Sequence, residues 1–294
     1  MNISDPQMTK KPQTPFVLRT IQWAFPKLEK ISPGLAGKWY AKLFFTPFKY
    51  PVKERELSFL ATATTHKLNY QKNSISLYEW KGDKQKTVLF VHGWMGRASQ
   101  FNLLVEQFQA KGYRCIAFDA PGHGQSEGKE TNVLEFAEIA SYLDQRFGPF
   151  HLVVGHSLGG VAALIAQTRK ALCKKLIMIG SPAVGEDILK GFQKKINASA
   201  KNDAYLHAYI NARSDKNFFE LAGKQLIAEV GEVELMLIHD QDDTEVPYYH
   251  LEEFKQRFPT AVTYSTKGLG HNRTLRTEEV IKKCLEFAEV QSEV

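Results

Sequence analysis

Residues 151–160 read HLVVGHSLGG, and Ser157 stands there between Gly155 and Gly159. Apolar, partly β-branched residues lead into the serine, and a helix-forming run, GVAALIAQTRK, follows it. A strand that turns tightly into a helix has no room for side chains two residues before and two after the serine. The two glycines suit those positions. The spacing therefore predicts a nucleophile elbow, with Ser157 in a strained backbone conformation and its hydroxyl raised above the sheet. The following helix points its positive end at that oxygen.

A serine hydroxyl is a poor nucleophile at neutral pH unless a base lies within hydrogen-bond reach and a carboxylate orients that base. Both partners are expected on later loops at the C-terminal ends of strands. The segment TYSTKGLGHNRTL offers His271, with Gly268 and Gly270 just before it to let the loop bring the imidazole over the sheet. The segment HDQDDTEVP offers four carboxylates, Asp240, Asp242, Asp243 and Glu245. A developing oxyanion needs fixed N–H donors. The backbone N–H of Leu158, directly after the serine, is one. The loop VHGWMG (91–96) supplies the other through the N–H of Trp94. The Trp94 side chain is expected in the substrate pocket. His156 is a second pocket candidate, although His156 and His123 also suit structural roles in their turns. His92 is read as an organiser of the oxyanion loop. His66, His207 and His250 show no partner pattern.

These residues need a scaffold. ELSFLATATT and SISLYEWKG alternate and read as antiparallel strands at a sheet edge. Strands are then expected at 87–93, 114–119, 151–155, 175–180, 233–240 and 261–265. Helices are expected at 99–111, 131–147, from 158, near 248–257 and from 275. This alternation predicts an α/β fold with a mostly parallel sheet covered on both faces. It breaks at 182–230, which reads as an inserted helical cap, so that 56–181 and 231–294 form the core. Tyr205, Tyr209, Phe218 and Phe219 of the cap suit either an acyl site or helix packing. Residues 1–55 form a basic, aromatic-rich helical arm. Two roles compete for 16–50: packing on the domain, or an interfacial segment that touches anionic lipid or covers the site entrance.

The 294-residue chain has a net charge of +6, and that charge is local. Residues 1–50 hold eight Lys/Arg and two Asp/Glu, whereas 51–294 hold thirty of each. A neutral body argues against nucleic-acid binding. Three widely spaced cysteines argue against a disulfide framework, and Cys115 reads as a core residue. No metal-ligand spacing or cofactor motif is evident. With no secretory signal and no spanning segment expected, a cytoplasmic location is the default.

HGWMG, DAPGHGQS (119–126), GHSLGG, HDQDDTEVP and GLGHNR, in this order, resemble the α/β-hydrolase superfamily over residues 56–292. The resemblance implies a Ser157–His271–Asp243 triad in the family's chain order, because its acid commonly stands four residues before the proline of a D-x-x-V-P run, here Pro247. Asp242 is the alternative. Asp240 departs from the family, where glycine is common. The implied reaction is hydrolysis of small-molecule carboxylic esters through an acyl-enzyme. The same triad would serve an acyltransferase, a thioesterase, a lipase for short glycerides or an aminopeptidase. A non-catalytic binding module would not need it. A dehalogenase or epoxide hydrolase would carry aspartate in place of Ser157. The seven Lys/Arg and six Asp/Glu of 182–230 nearly cancel and indicate no strongly charged substrate.

Overall fold

A computed structural model of the chain describes residues 16–212 and 230–290. Its strands are β1 (Thr64–Tyr70), β2 (Asn73–Trp80), β3 (Asp83–Val91), β4 (Tyr113–Phe118), β5 (Phe150–His156), β6 (Cys173–Ile179), β7 (Glu234–Asp240) and β8 (Val262–Thr266). The helices are α1 (Phe16–Ile31), α2 (Pro33–Phe44), α3 (Glu54–Leu60), α4 (Asn102–Ala110), α5 (Val133–Phe147), α6 (Leu158–Arg169), α7 (Gly185–Ile196), α8 (Asp203–Asn211), α9 (Tyr249–Arg257), α10 (Gly270–Arg273) and α11 (Glu278–Glu289). The strands form one sheet in the order β1-β2-β4-β3-β5-β6-β7-β8. β1 and β2 are antiparallel to their neighbours, and β3 to β8 run parallel.

Parallel strands need crossover connections, and the helices in those crossovers cover both faces of the sheet. The apolar runs show this directly. Val88 and Phe90 enter one core with Leu152, Val154, Met236 and Ile238. Their alternates Leu89, Val91, Val153, Leu235 and Leu237 enter the other. Side chains of α5, α6 and α9 close the second core, and those of α4 and α11 close the first. β3 lies between β4 and β5, so the chain winds away from it in both directions. That leaves a crevice at the C-terminal ends of β3 and β5, the usual ligand position in such sheets.

Residues 56–65 depart from the strand expectation. α3 runs to Leu60, and β1 begins only at Thr64. Glu56 accepts the N–H of Lys53 at 2.9 Å and stands in the first turn with Glu54, where the helix dipole favours carboxylates. The neighbours Phe59 and Leu60 both point inward, which an alternating strand forbids. Phe59 stacks on Trp80 at 4.9 Å.

The arm and the first part of the expected cap form one layer. Phe25 of α1 and Tyr40 of α2 share a core with Leu189 and Ile196 of α7 and Leu206 and Ile210 of α8. The Tyr40 hydroxyl donates to Asp203 at 2.7 Å. Glu29 accepts from the backbone and side chain of Ser199 at 2.9 and 3.0 Å. Phe218 and Phe219 lie outside the described residues. No described helix is long and apolar enough to cross a membrane.

Candidate active site

Ser157 directly follows β5 and caps α6 with φ 52° and ψ −123°. This backbone is strained for a residue with a side chain, as an elbow demands. Close packing beneath it explains the glycines. A Cβ on Gly159 would stand 2.0 Å from the carbonyl oxygen of Val91, and one on Gly93 would stand 2.9 Å from Ser157 Cβ. The HGWMG loop and the turn at Ser157 can approach each other only with glycine at both places.

The HGWMG loop is held by the DAPGHGQS turn. His92 Nδ1–H donates to Gly93 O at 2.8 Å, and its Nε2 accepts the N–H of Ala120 at 3.0 Å. His123 Nδ1–H donates to Pro121 O at 3.0 Å, and its Nε2 accepts the N–H of Met95 at 3.0 Å. The Asp119 carboxylate accepts from Ala98 N, Gln125 N and the Tyr78 hydroxyl at 2.8, 2.8 and 3.0 Å. Trp94 thereby lines the same cavity as Ser157 and Leu158. Among the described residues, neither Trp94 N–H nor Leu158 N–H has a hydrogen-bond acceptor.

The acidic loop separates its four carboxylates. Asp243 is buried, and its Oδ2 accepts from His271 Nδ1 at 2.7 Å. Its Oδ1 accepts the N–H groups of Glu245 and Val246, both at 2.9 Å, which fixes the carboxylate plane. His239 donates to Val246 O at 2.8 Å and lies 3.5 Å from Asp243. Burial opposes ionisation of Asp243, but hydrogen bonds from His239 and His271, the charge of His271 and the Val246 N–H outweigh it. The carboxyl is held well below the usual range. Asp242 is exposed and accepts the Gly268 N–H at 3.0 Å. Glu245 is exposed and accepts from Asn272 at 3.3 Å.

Asp240 does more than its sequence suggests. Its carboxylate accepts the N–H groups of Asp242, Leu269 and Gly270 at 3.0, 3.0 and 2.9 Å and the Thr266 hydroxyl at 2.7 Å. It ties the end of β7 to the loop that carries His271. The side chain that replaces the expected glycine thus holds His271 in place.

His271 reaches the cavity that Ser157 lines, although no hydrogen bond joins the two side chains among the described residues. His156 does not line the cavity, contrary to the pocket expectation. It is buried, its Nε2 meets His271 O at 3.1 Å, and the two rings stand 4.7 Å apart. Two other histidines have partners that sequence spacing did not reveal. His66 lies 3.0 Å from Glu79. His250 Nδ1 accepts the N–H groups of Ala183 and Val184 at 3.0 and 3.2 Å.

Burial lowers the pKa of His92 and His250 to about 4 and of His123 and His156 to about 3. Three of these rings accept a backbone N–H, a bond that protonation would destroy. Each binds a proton more readily in the unfolded chain, at about 6.5. Their stability contribution is therefore complete above pH 6.5 and falls as pH drops from there toward 4 or 3. The slope approaches about 1.4 kcal/mol per pH unit for each ring. Urea midpoints are expected to fall steeply between pH 7 and 5. A flat profile over that range would contradict neutral, acceptor histidines.

The cavity measures about 1390 Å³. Ser157, Leu158, Trp94 and His271 line it together with Phe44, Phe45, Phe48 and Phe192. Tyr209 also faces it, stacked on Phe45 at 5.3 Å. Tyr205 instead packs against Gly37 of α2. Among the described residues, no group of histidine, cysteine and carboxylate side chains could hold a metal.

Residues 86–206 match the model of a family described as alpha/beta hydrolase fold. Over 167 residues the chain is 28% identical to the dihydrolipoyllysine-residue acetyltransferase component of the acetoin cleaving system of Cupriavidus necator, covering 55% of this chain and 41% of that protein. Over 148 residues it is 28% identical to a serine hydrolase-like protein of Dictyostelium discoideum, covering 45% and 40%. The chain thus spans less than half the length of these two curated relatives. Among solved structures it resembles a bacterial membrane phospholipase A with a TM-score of 0.62 and 16% identity, covering 92% of this chain and 97% of that one. At that identity the likeness is one of fold.

Proposed function

We propose that this chain is a serine hydrolase of the α/β-hydrolase superfamily that cleaves carboxylic esters of apolar acyl groups. One observation carries this reading: a buried carboxylate orients His271 at 2.7 Å, on the cavity that the strained Ser157 also lines. Ser157 Oγ attacks the acyl carbonyl, and His271 Nε2 takes its proton. Asp243 holds Nδ1–H and stabilises the imidazolium. The N–H groups of Leu158 and Trp94 receive the oxyanion. The tetrahedral adduct collapses as His271 returns the proton to the leaving alkoxide, giving an acyl-enzyme and an alcohol. Water, deprotonated by His271, then attacks the acyl carbonyl and releases the acid and the free serine.

The phenylalanines around the cavity argue for an apolar acyl group. Each buried methylene contributes at most about 0.8 kcal/mol. In a series of p-nitrophenyl esters, kcat/KM is expected to rise at least about tenfold from acetate to octanoate. A profile that falls with chain length would contradict an apolar acyl site. Acyl transfer is the second reading, supported by the acetyltransferase name of the Cupriavidus relative. Adding a competing alcohol separates the two: a hydrolase yields mainly acid, and a transferase mainly the new ester.

A further inference from the structure

The outward faces of α1 and α2 combine large apolar side chains with cations. Phe16 is 81% exposed, Trp23 67%, Ile31 83% and Trp39 53%. Exposed positions on α1 recur at helical spacing through Arg19, Trp23, Lys27 and Lys30, and on α2 through Leu35, Lys38, Trp39 and Lys42. Lys27 Nζ lies 3.3 Å from the Trp23 ring centroid. Glu29 is the one acidic residue in 16–50, and it is turned away, bonded to Ser199 and Asn202. Scattered exposed apolar residues need no explanation. A stripe of tryptophans interleaved with five cations, with Glu130 the acidic side chain beside Lys38 and Lys42 in a neighbouring pocket, does.

We propose that this face docks on an anionic lipid bilayer. The aromatic rings would enter the boundary between headgroups and acyl chains, and the lysines would reach the phosphates. Charge decides the occupant. A second copy bound about a two-fold axis would set these cations against themselves. Residues 1–15 carry two lysines and one aspartate, so they bring no compensating negative charge. A lipid surface supplies both an apolar layer and the negative charge. The same arm continues into the cavity wall through Leu43, Phe44 and Phe45. Docking would therefore set an acyl cavity beside the membrane. Membrane-derived acyl esters as the substrate class rest on the ester-hydrolase reading; docking itself does not.

The test is co-sedimentation of the full chain with vesicles of equimolar phosphatidylglycerol and phosphatidylcholine, and with phosphatidylcholine alone. The wild type is expected to bind the anionic vesicles at least about tenfold more tightly and to lose that preference in high salt. Trp23→Ala/Trp39→Ala and Lys27→Glu/Lys38→Glu should each weaken anionic-vesicle binding at least about tenfold. Both variants should keep wild-type circular dichroism and turn over p-nitrophenyl butyrate normally, because these side chains face outward and lie away from the catalytic cavity. Binding equal to wild type in both variants, or no wild-type sedimentation, would overturn the proposal. So would a wild-type dimer that Trp23→Ala/Trp39→Ala dissociates, which would assign the face to a second copy. Vesicle binding by a protein that cleaves no ester would leave docking intact and remove the hydrolase reading.

Discussion

Asp243→Asn is expected to lower kcat/KM for a soluble ester by about 10⁴. The amide keeps the size of the carboxylate but cannot hold His271 in the same tautomer with both N–H groups of Glu245 and Val246 still paired to the other oxygen. Asp242→Asn should cost less than about tenfold, because among the described residues that exposed carboxylate accepts only the Gly268 N–H. Asp240→Asn should fall between them, about ten- to hundredfold in kcat with KM little changed, since it shifts the loop that carries the base. Steady-state kinetics on the three variants checks the order. Equal losses at Asp242 and Asp243 would contradict the assignment of the acid.

Gly159→Ala is expected to destabilise the fold by about 3 kcal/mol or more. The added methyl would meet Val91 O at 2.0 Å and His92 O at 2.6 Å. Both oxygens belong to the backbone at the end of the central strand β3, so no side chain can rotate away. Gly191→Ala on α7 is the control. Nothing lies within 4 Å of its added methyl, and removing a helical glycine should be neutral or stabilise by up to about 1 kcal/mol. Urea midpoints of the two variants give the comparison. A Gly159→Ala protein as stable as the wild type would contradict the close approach of α6 to β3.

The parts of the site most legible in the sequence are those whose residue type is dictated by local geometry. The glycines around Ser157, the turn after β3 and the apolar strands of the central sheet are of this kind. Asp240 was legible only as a departure. Three of its four donors are backbone N–H groups, two of them on a loop nearly thirty residues away, and backbone donors leave no side-chain signature. His250 was missed for the same reason, since it too accepts backbone N–H groups. Residues 56–60 misled because E-L-S-F-L alternates in type, while Phe59 and Leu60 both turn inward. The union of α1 and α2 with α7 and α8 was invisible because its contacts join residues 25–41 to 189–210, and neither stretch alone names its partner. Only the structure could show that the basic arm buries its inner face on α7 and α8 and keeps tryptophan and lysine outside.

The central claim is that Ser157 is an activated nucleophile, and covalent labelling tests it most directly. The full chain, treated with a fluorophosphonate and analysed by intact-mass and peptide mass spectrometry, should carry a single adduct on the peptide containing HLVVGHSLGG. Ser157→Ala should carry none, and Asp243→Asn should label far more slowly than the wild type. Equal labelling of wild type and Ser157→Ala, or an adduct on another residue, would contradict the account.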